Sequence, residues 1–525
     1  MTPVQVSDSS VKPLVGGNKL AENSKLFLAI FAICTLLHLA LAWSSRLYPH
    51  IDLPFHLAAA TIYKYYGSQA NDFSQFFYMD VFLRPNTFHL FFTSLEVFPS
   101  VEFGNKVFYA GYLLLFPLSV LLLIKQIGGN QWFALFSFLL IYNFNLNWGF
   151  VGFNIAIPFV LLLIYFVFRS LEGGSKWNKV VVAALLIVIY FMHALATIFS
   201  LILVVVIYGF CYRRSWKRLA LTGLMVVPII ALLAYWWSTS QSDADTVGFL
   251  VGYYSHQFWT QYKLRIFNFF CTENFYLLEG GWGWAAGAFF TFLMHMPLAF
   301  WVLTHFKKLP EYVNWAKYGK LYLFILVSLG VYFLSPYGLP DQHYLYQRFG
   351  IFVHLGFILL SSLLVGTQHF PKVLTLAGIA FVLHFGGYAQ RQLAFEKDTA
   401  GFTPDFLPSD VKGKKFAGIM LDRSFRGRLI YGHFPNYQII WHQGVTATKA
   451  VEFRFGNVRR KVGEDKLPRF HDNFDSLTGK IRNPYSGLID YIFIRGEVGA
   501  EGRELEMSDY NLIKTAGEWS LWKKK

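Results

Sequence analysis

The sequence predicts a polytopic all-α membrane domain followed by a soluble α/β domain, and three observations carry that reading. Apolar residues make up 55% of the 525, aromatic residues 19% and charged residues 15%, whereas soluble domains usually carry about 25% charged residues. Apolar runs long enough to cross a bilayer recur from residue 26 to residue 388 and then stop. Lysine and arginine fall in alternate connecting loops, the pattern that fixes membrane orientation. The formal charge of +15 follows that topology, so nucleic acid is not a partner.

The first 25 residues form a polar tail whose Lys12, Lys19 and Lys25 place it in the cytoplasm. Leu26–Trp43 is the first span; it is longer than a signal-peptide core, although Ala40-Leu41-Ala42 imitates a cleavage site. A long external loop, 45–106, follows, within which Asn86–Phe98 is apolar but too short to span and reads as an interfacial helix. Further spans are expected at about 107–124, 131–145, 150–168, 180–192, 195–211, 219–237, 284–305, 320–335, 349–366 and 372–388, which brings the count to about eleven. The apolar stretch 180–211 divides at His193, because two short spans keep Lys176, Lys179, Arg213 and Arg214 on one side of the membrane. The three cysteines fall in three different compartments and offer no disulfide.

Carboxylates sort oppositely to the lysines. Asp52, Asp72, Asp80, Glu96, Glu102, Asp243, Asp245, Glu273, Glu279 and Asp341 lie outside, and no Asp, Glu, Lys or Arg stands within a span as drawn beyond Lys320 and Lys372 at the first residue of theirs. An ion-coupled transporter would ordinarily carry such a group at membrane depth, so the chemistry belongs to the external surface. Residues 389–525 then read as one extracytoplasmic α/β domain, with strands at Phe416–Leu421, Leu429–Tyr431, Tyr437–Trp441, Tyr491–Ile494 and Trp519–Trp522.

Three places concentrate reactive side chains. His50, Asp52 and His56 follow directly on the first span. Asp52 either caps a helix running Leu53–Tyr66, with Pro54 in its first turn, or serves as a catalytic base; His-x-Asp-x-x-x-His also has the ligand types of a metal site. Asp80, Arg84 and His89 stand where an extended segment turns into the short apolar helix, and Arg84 either snorkels to headgroups or binds a phosphate. Arg348 is the basic residue in the loop holding Asp341, His343 and Tyr346; an external arginine at a helix mouth suits a bidentate phosphate or carboxylate, or pairs with Asp341. His193, Lys263 and Arg265 could complete a cavity wall.

A cytoplasmic N-terminus, one span and an acid opening a long external loop resemble the GT-C superfamily of polyprenyl-phosphate-dependent glycosyltransferases. Asp52-Leu-Pro-Phe-His-Leu-Ala is similar to the Asp-x-x-x-Tyr/His-x-Ala opening of its aminoarabinose and mannose transferase branches. Arg84-Pro-Asn-Thr-Phe-His-Leu-Phe is similar to their Lys/Arg-Pro-Pro-Leu-Tyr-Tyr-Trp-Leu segment, and Tyr346-Gln-Arg348-Phe349 to their late Arg-Tyr/Phe element. The resemblance implies a GT-C fold with Asp52 as base and Arg84 and Arg348 on the lipid phosphate; His56 and Asp80 are further catalytic candidates. It implies a polyprenyl-phosphate sugar as donor, a glycan, lipid or protein as acceptor, and a bacterial inner membrane. No cofactor is required beyond an optional divalent cation. The competing functions are a flippase or transporter of lipid-linked glycans and a scaffold in an envelope-polysaccharide complex.

Overall fold

The computed structural model describes residues 24–173, 175–240, 246–271, 281–308, 314–340, 342–365, 370–448, 456–468, 487–497 and 507–525. Helix α1 (Ser24–Ser44) leads into a long connecting segment, which holds α2 (Leu53–Lys64), α3 (Phe73–Phe76), strand β1 (Phe77–Met79) and α4 (Phe88–Thr93). The membrane domain continues with α5 (Val101–Gln126), a 3₁₀ stretch Gln131–Leu140, α6 (Phe144–Trp148), α7 (Val151–Leu171), α8 (Trp177–Met192), α9 (Ala194–Tyr212) and α10 (Trp216–Thr239). Then come α11 (Thr246–Gly252), α12 (Phe258–Cys271), α13 (Gly281–His305), α14 (Trp315–Leu334), α15 (Gly350–Leu364) and α16 (Phe370–Asp398).

Among the described residues nine helices are long and apolar enough to span a membrane, and α8 is a shorter apolar helix of 16 residues. Helices α8 and α9 part at His193, whose extended backbone (φ −165°, ψ 126°) breaks the apolar run where the sequence places a turn. Capping follows the sequence locally: Ser100 Oγ accepts from Phe103 N–H at the start of α5, and Asn143 Oδ1 accepts from the amides that open α6. The expected span over 131–145 is different. It is a buried 3₁₀ stretch followed by the five-residue α6, because its bulky side chains are enclosed on all faces and packing outweighs helix propensity.

Helix α16 runs unbroken past Tyr388, the expected boundary, to Asp398. Beyond it a five-stranded sheet has the order β3–β2–β5–β7–β6, built from β2 (Lys415–Met420), β3 (Val445–Thr446), β5 (Tyr491–Arg495), β6 (Tyr510–Ala516) and β7 (Trp519–Lys524). Strand β2 is parallel to β3 and β5, and the β6–β7 hairpin completes the sheet antiparallel. Two of the expected strands are absent. Leu429 and Ile430 are irregular and Tyr431–Asn436 is a 3₁₀ helix, while Tyr437–His442 is helix α17. Tyr431, Phe434, Tyr437 and Ile439 are all at most 2% exposed, so the apolar spacing that resembles a strand is here the buried face of two consecutive helical turns.

The soluble domain is fastened to the segment between α1 and α5. Strand β1 pairs antiparallel with β4 (Val458–Arg460), with Tyr78 opposite Arg459. Arg46 donates to the carbonyls of Phe402 and Thr399, both at 2.6 Å, and Asn71 donates to Gln443 at 2.9 Å. The 3₁₀ helix and α17 pack on α2, so the soluble domain covers the helix that Asp52 heads.

Candidate active site

Asp52 occupies the N-terminal position of α2, and Pro54 lies in the first turn as expected. Its carboxylate nevertheless makes no capping hydrogen bond: the backbone is already helical (φ −89°, ψ −3°), which turns the side chain away from the first amides. The backbone is held instead by Asp52 N–H donating to the Trp148 carbonyl at 2.8 Å. Gly149 makes that approach feasible, since its φ of +80° is left-handed and a Cβ there would lie 2.8 Å from Asp52 N. The carboxylate is left partly exposed, with Oδ1 3.4 Å from Nε2 of His433 in the soluble domain.

His56, one turn along α2, has its pKa lowered to about 4 by burial, against the opposing pull of Asp52 and aided by the nearby His433 and Arg348. His89 packs edge-on to His56 at 6.0 Å and hydrogen-bonds Asn105 at 3.0 Å; burial lowers its pKa to about 3. His50 points elsewhere. Its Nε2 meets the Tyr388 hydroxyl at 3.2 Å, its ring stacks on Tyr48, and burial lowers its pKa to about 3. No three His, Cys, Asp or Glu side chains among the described residues are grouped to hold a metal ion, and His50 is the reason that His-x-Asp-x-x-x-His does not converge.

Arg348 opens α15 from the 3₁₀ turn Tyr346–Phe349. Its guanidinium lies 3.7 Å over the Phe150 ring, Nε donates to the Tyr344 carbonyl at 3.2 Å, and Nη2 donates to the His343 carbonyl at 3.3 Å. Tyr344 takes a left-handed backbone (φ +60°) against Trp148, a conformation that costs energy in a non-glycine residue and often marks a working site. Nη1 faces Nε2 of His193 at 3.2 Å. Leu195 N–H points at Nδ1 of the same ring at 3.1 Å, so both ring nitrogens face donors, and a neutral imidazole accepts through one nitrogen only. One donor facing the ring is therefore left over at the N-terminus of α9, where an anion would be a favourable acceptor. Asp52 lies within electrostatic range of Arg348 and His56.

Arg84 and Asp80 form a separate cluster. Arg84 grips Asp80 through Nε at 2.9 Å and Nη2 at 2.6 Å, while Nη1 donates to Ser240 at 2.8 Å at the end of α10. Arg459 of β4 meets the same carboxylate at 3.0 Å. Arg84 is 7% exposed and is flanked by left-handed Leu83 (φ +50°) and Asn86 (φ +63°). Its donors thus hold a strained loop against α10 and the soluble domain.

The remaining expected residues scatter. Arg265 is fully buried under the Tyr346 ring, donating to the Phe333 carbonyl at 2.9 Å, and Tyr346 is itself 1% exposed; both are packing residues of the α12–α14 junction. Lys263 and His343 are exposed, and Asp341 lies outside the described residues. His433 is the site residue that sequence reasoning missed. It carried no motif signal, and the contact depends on a 3₁₀ helix read as the gap between two strands.

The architecture is a polytopic helical domain, an acid heading the first helix of the long segment after α1, and a C-terminal domain built on a five-stranded sheet. No protein-family model matches the chain, and no curated protein matches it. A solved structure does: the crystal structure of ArnT from Cupriavidus metallidurans bound to undecaprenyl phosphate is similar with a TM-score of 0.52 at 14% sequence identity, over 95% of this chain and 97% of that one. The fold expected from the resemblance in the sequence is thus shared with that structure along nearly the whole chain.

Proposed function

We propose that this integral membrane protein is a glycosyltransferase that moves a sugar from a polyprenyl-phosphate donor to an acceptor hydroxyl at the extracytoplasmic surface. The observation that carries the reading is Asp52, a partly exposed carboxylate that the helix it heads does not use, standing in the field of Arg348. A base needs a free oxygen within reach of the acceptor hydroxyl. A leaving phosphate needs donors preorganised where its charge develops, and Arg348, with His193 beside it at 3.2 Å, supplies one. The ArnT structure holds undecaprenyl phosphate, and we assign the same carrier class to the donor here.

In this reading Asp52 takes the acceptor proton, Arg348 with His193 holds the phosphate, and Arg84 and Asp80 shape the loop between them. The test is sugar release from a panel of synthetic undecaprenyl-phosphate hexoses and pentoses by the purified protein in lipid nanodiscs, with Asp52→Asn as control. Transfer by the wild type alone supports the reading. Undecaprenyl phosphate binding without transfer of any sugar would favour a carrier or scaffold.

A further inference from the structure

We infer that His433 is a positioning residue for Asp52, so that the soluble domain completes the reaction centre of the membrane domain. The inference rests on Asp52 acting as the base. His433 Nε2 approaches Asp52 Oδ1 at 3.4 Å, long for a hydrogen bond but typical of catalytic pairs that tighten when substrate binds.

Both partners sit on rigid supports. His433 belongs to the 3₁₀ helix Tyr431–Asn436, whose Tyr431, Phe434 and Asn436 are completely buried. Phe434 stacks on Trp519, and Pro435 presses on Gly418 so closely that a Cβ there would lie 2.7 Å from its ring. Asn436 donates to the His433 carbonyl at 2.8 Å and accepts from Thr448 at 3.0 Å. The imidazole is thus the polar tip of an apolar platform, with the Phe55 ring set edge-on at 5.9 Å. Asp52 is fixed from its own side by the Trp148 carbonyl.

An Nε2–H donated to Oδ1 leaves Oδ2 as the proton-accepting oxygen and fixes its direction. In the transfer step the acceptor O–H gives its proton to Oδ2 and its oxygen bonds the anomeric carbon. The bond from that carbon to the phosphate oxygen breaks, and its electron pair leaves on the polyprenyl phosphate. His433 exchanges no proton in this step; it acts through Asp52.

The test uses the full-length protein in nanodiscs. In ¹⁵N-histidine-labelled protein, with the His433 signal assigned by its loss in His433→Gln, the Nε2–H form should dominate in wild type and give way to a mixture of tautomers in Asp52→Ala. With the donor sugar that the panel above identifies, His433→Ala should lower kcat about tenfold with donor KM unchanged. His433→Gln, which keeps an N–H donor, should recover most of the rate. Asp52→Asn combined with His433→Ala should be no slower than Asp52→Asn alone. A tautomer indifferent to Asp52→Ala, a wild-type kcat in His433→Ala, or multiplicative losses in the double variant would overturn the inference. A panel without any transfer sinks the glycosyltransferase reading instead and leaves the tautomer measurement to judge the contact.

Discussion

His433 Nε2 and Asp52 Oδ1 stand 3.4 Å apart although one residue follows the first membrane span and the other lies in the soluble domain. The contact exists because the 3₁₀ helix and α17 pack on α2, and it directs the carboxylate into the seam between the domains rather than onto its own helix. The consequences of that placement are measurable.

Asp52→Asn separates structure from chemistry. The carboxylate caps nothing, so the amide should shift stability by no more than about 0.5 kcal/mol, as for a surface change. Sugar transfer should fall roughly 10²–10⁴-fold, the usual loss of general-base help. Thermal unfolding and initial rates on the same preparation check both halves, and near-wild-type turnover would end the catalytic assignment.

Arg348→Ala should weaken undecaprenyl phosphate binding by about 2–5 kcal/mol, the range for truncating a desolvated charge contact. Arg348→Lys should recover part of this, because an ammonium keeps the charge but not the planar fork or the stacking over Phe150. Lipid titration of the nanodisc-embedded variants reads the difference; equal affinity in all three proteins would remove Arg348 from the phosphate site.

Arg84→Ala is expected to act on stability. It leaves Asp80 with Arg459 and removes one donor from Ser240, at a cost of about 1.5–3 kcal/mol, the range for hydrogen bonds to a charged group. Undecaprenyl phosphate affinity should hold in the protein that remains folded. A loss of affinity matching Arg348→Ala, at unchanged thermal stability, would instead place Arg84 on the phosphate.

Acid should destabilise the segment between α1 and α5. His50 and His89 are held at about 3 and His56 at about 4 by burial, below the ordinary histidine value near 6.5. Between those limits the unfolded chain binds protons that the folded chain refuses, so this stability is fully present above about pH 6.5 and is lost as pH falls toward 4 and 3. The unfolding temperature should drop across that window, and His89→Asn should flatten the slope. A midpoint independent of pH from 7 to 4 would contradict the buried neutral histidines.

Orientation is tested by reporters. A periplasmic-active fusion after Lys525 should work outside the cytoplasm, and one inserted beside Glu172, next to the basic Arg169, Lys176 and Lys179, should work inside it. The opposite result for either would move Asp52 and Arg348 to the other face of the membrane.

The sequence by itself determined the membrane architecture, because bilayer crossing demands long apolar helices that local composition cannot conceal. It located the break at His193, the acid heading α2 and the arginine opening α15, each beside a span boundary. Local pattern failed where packing chose among structures of similar spacing: 131–145 became a 3₁₀ stretch, and 431–442 became helical turns rather than strands. Only the tertiary structure decided the roles of the charged residues. Arg84 and Arg348 look alike as arginines at helix mouths, yet one is consumed by Asp80 and Ser240 while the other has no carboxylate partner among the described residues and meets His193. The same holds for Asp52, whose rotation away from its helix and toward His433 is set by a backbone angle and a domain contact. Hydrophobic periodicity is a property of neighbours along the chain, whereas hydrogen-bond partners are neighbours in space, and those appear only when distant segments are packed together.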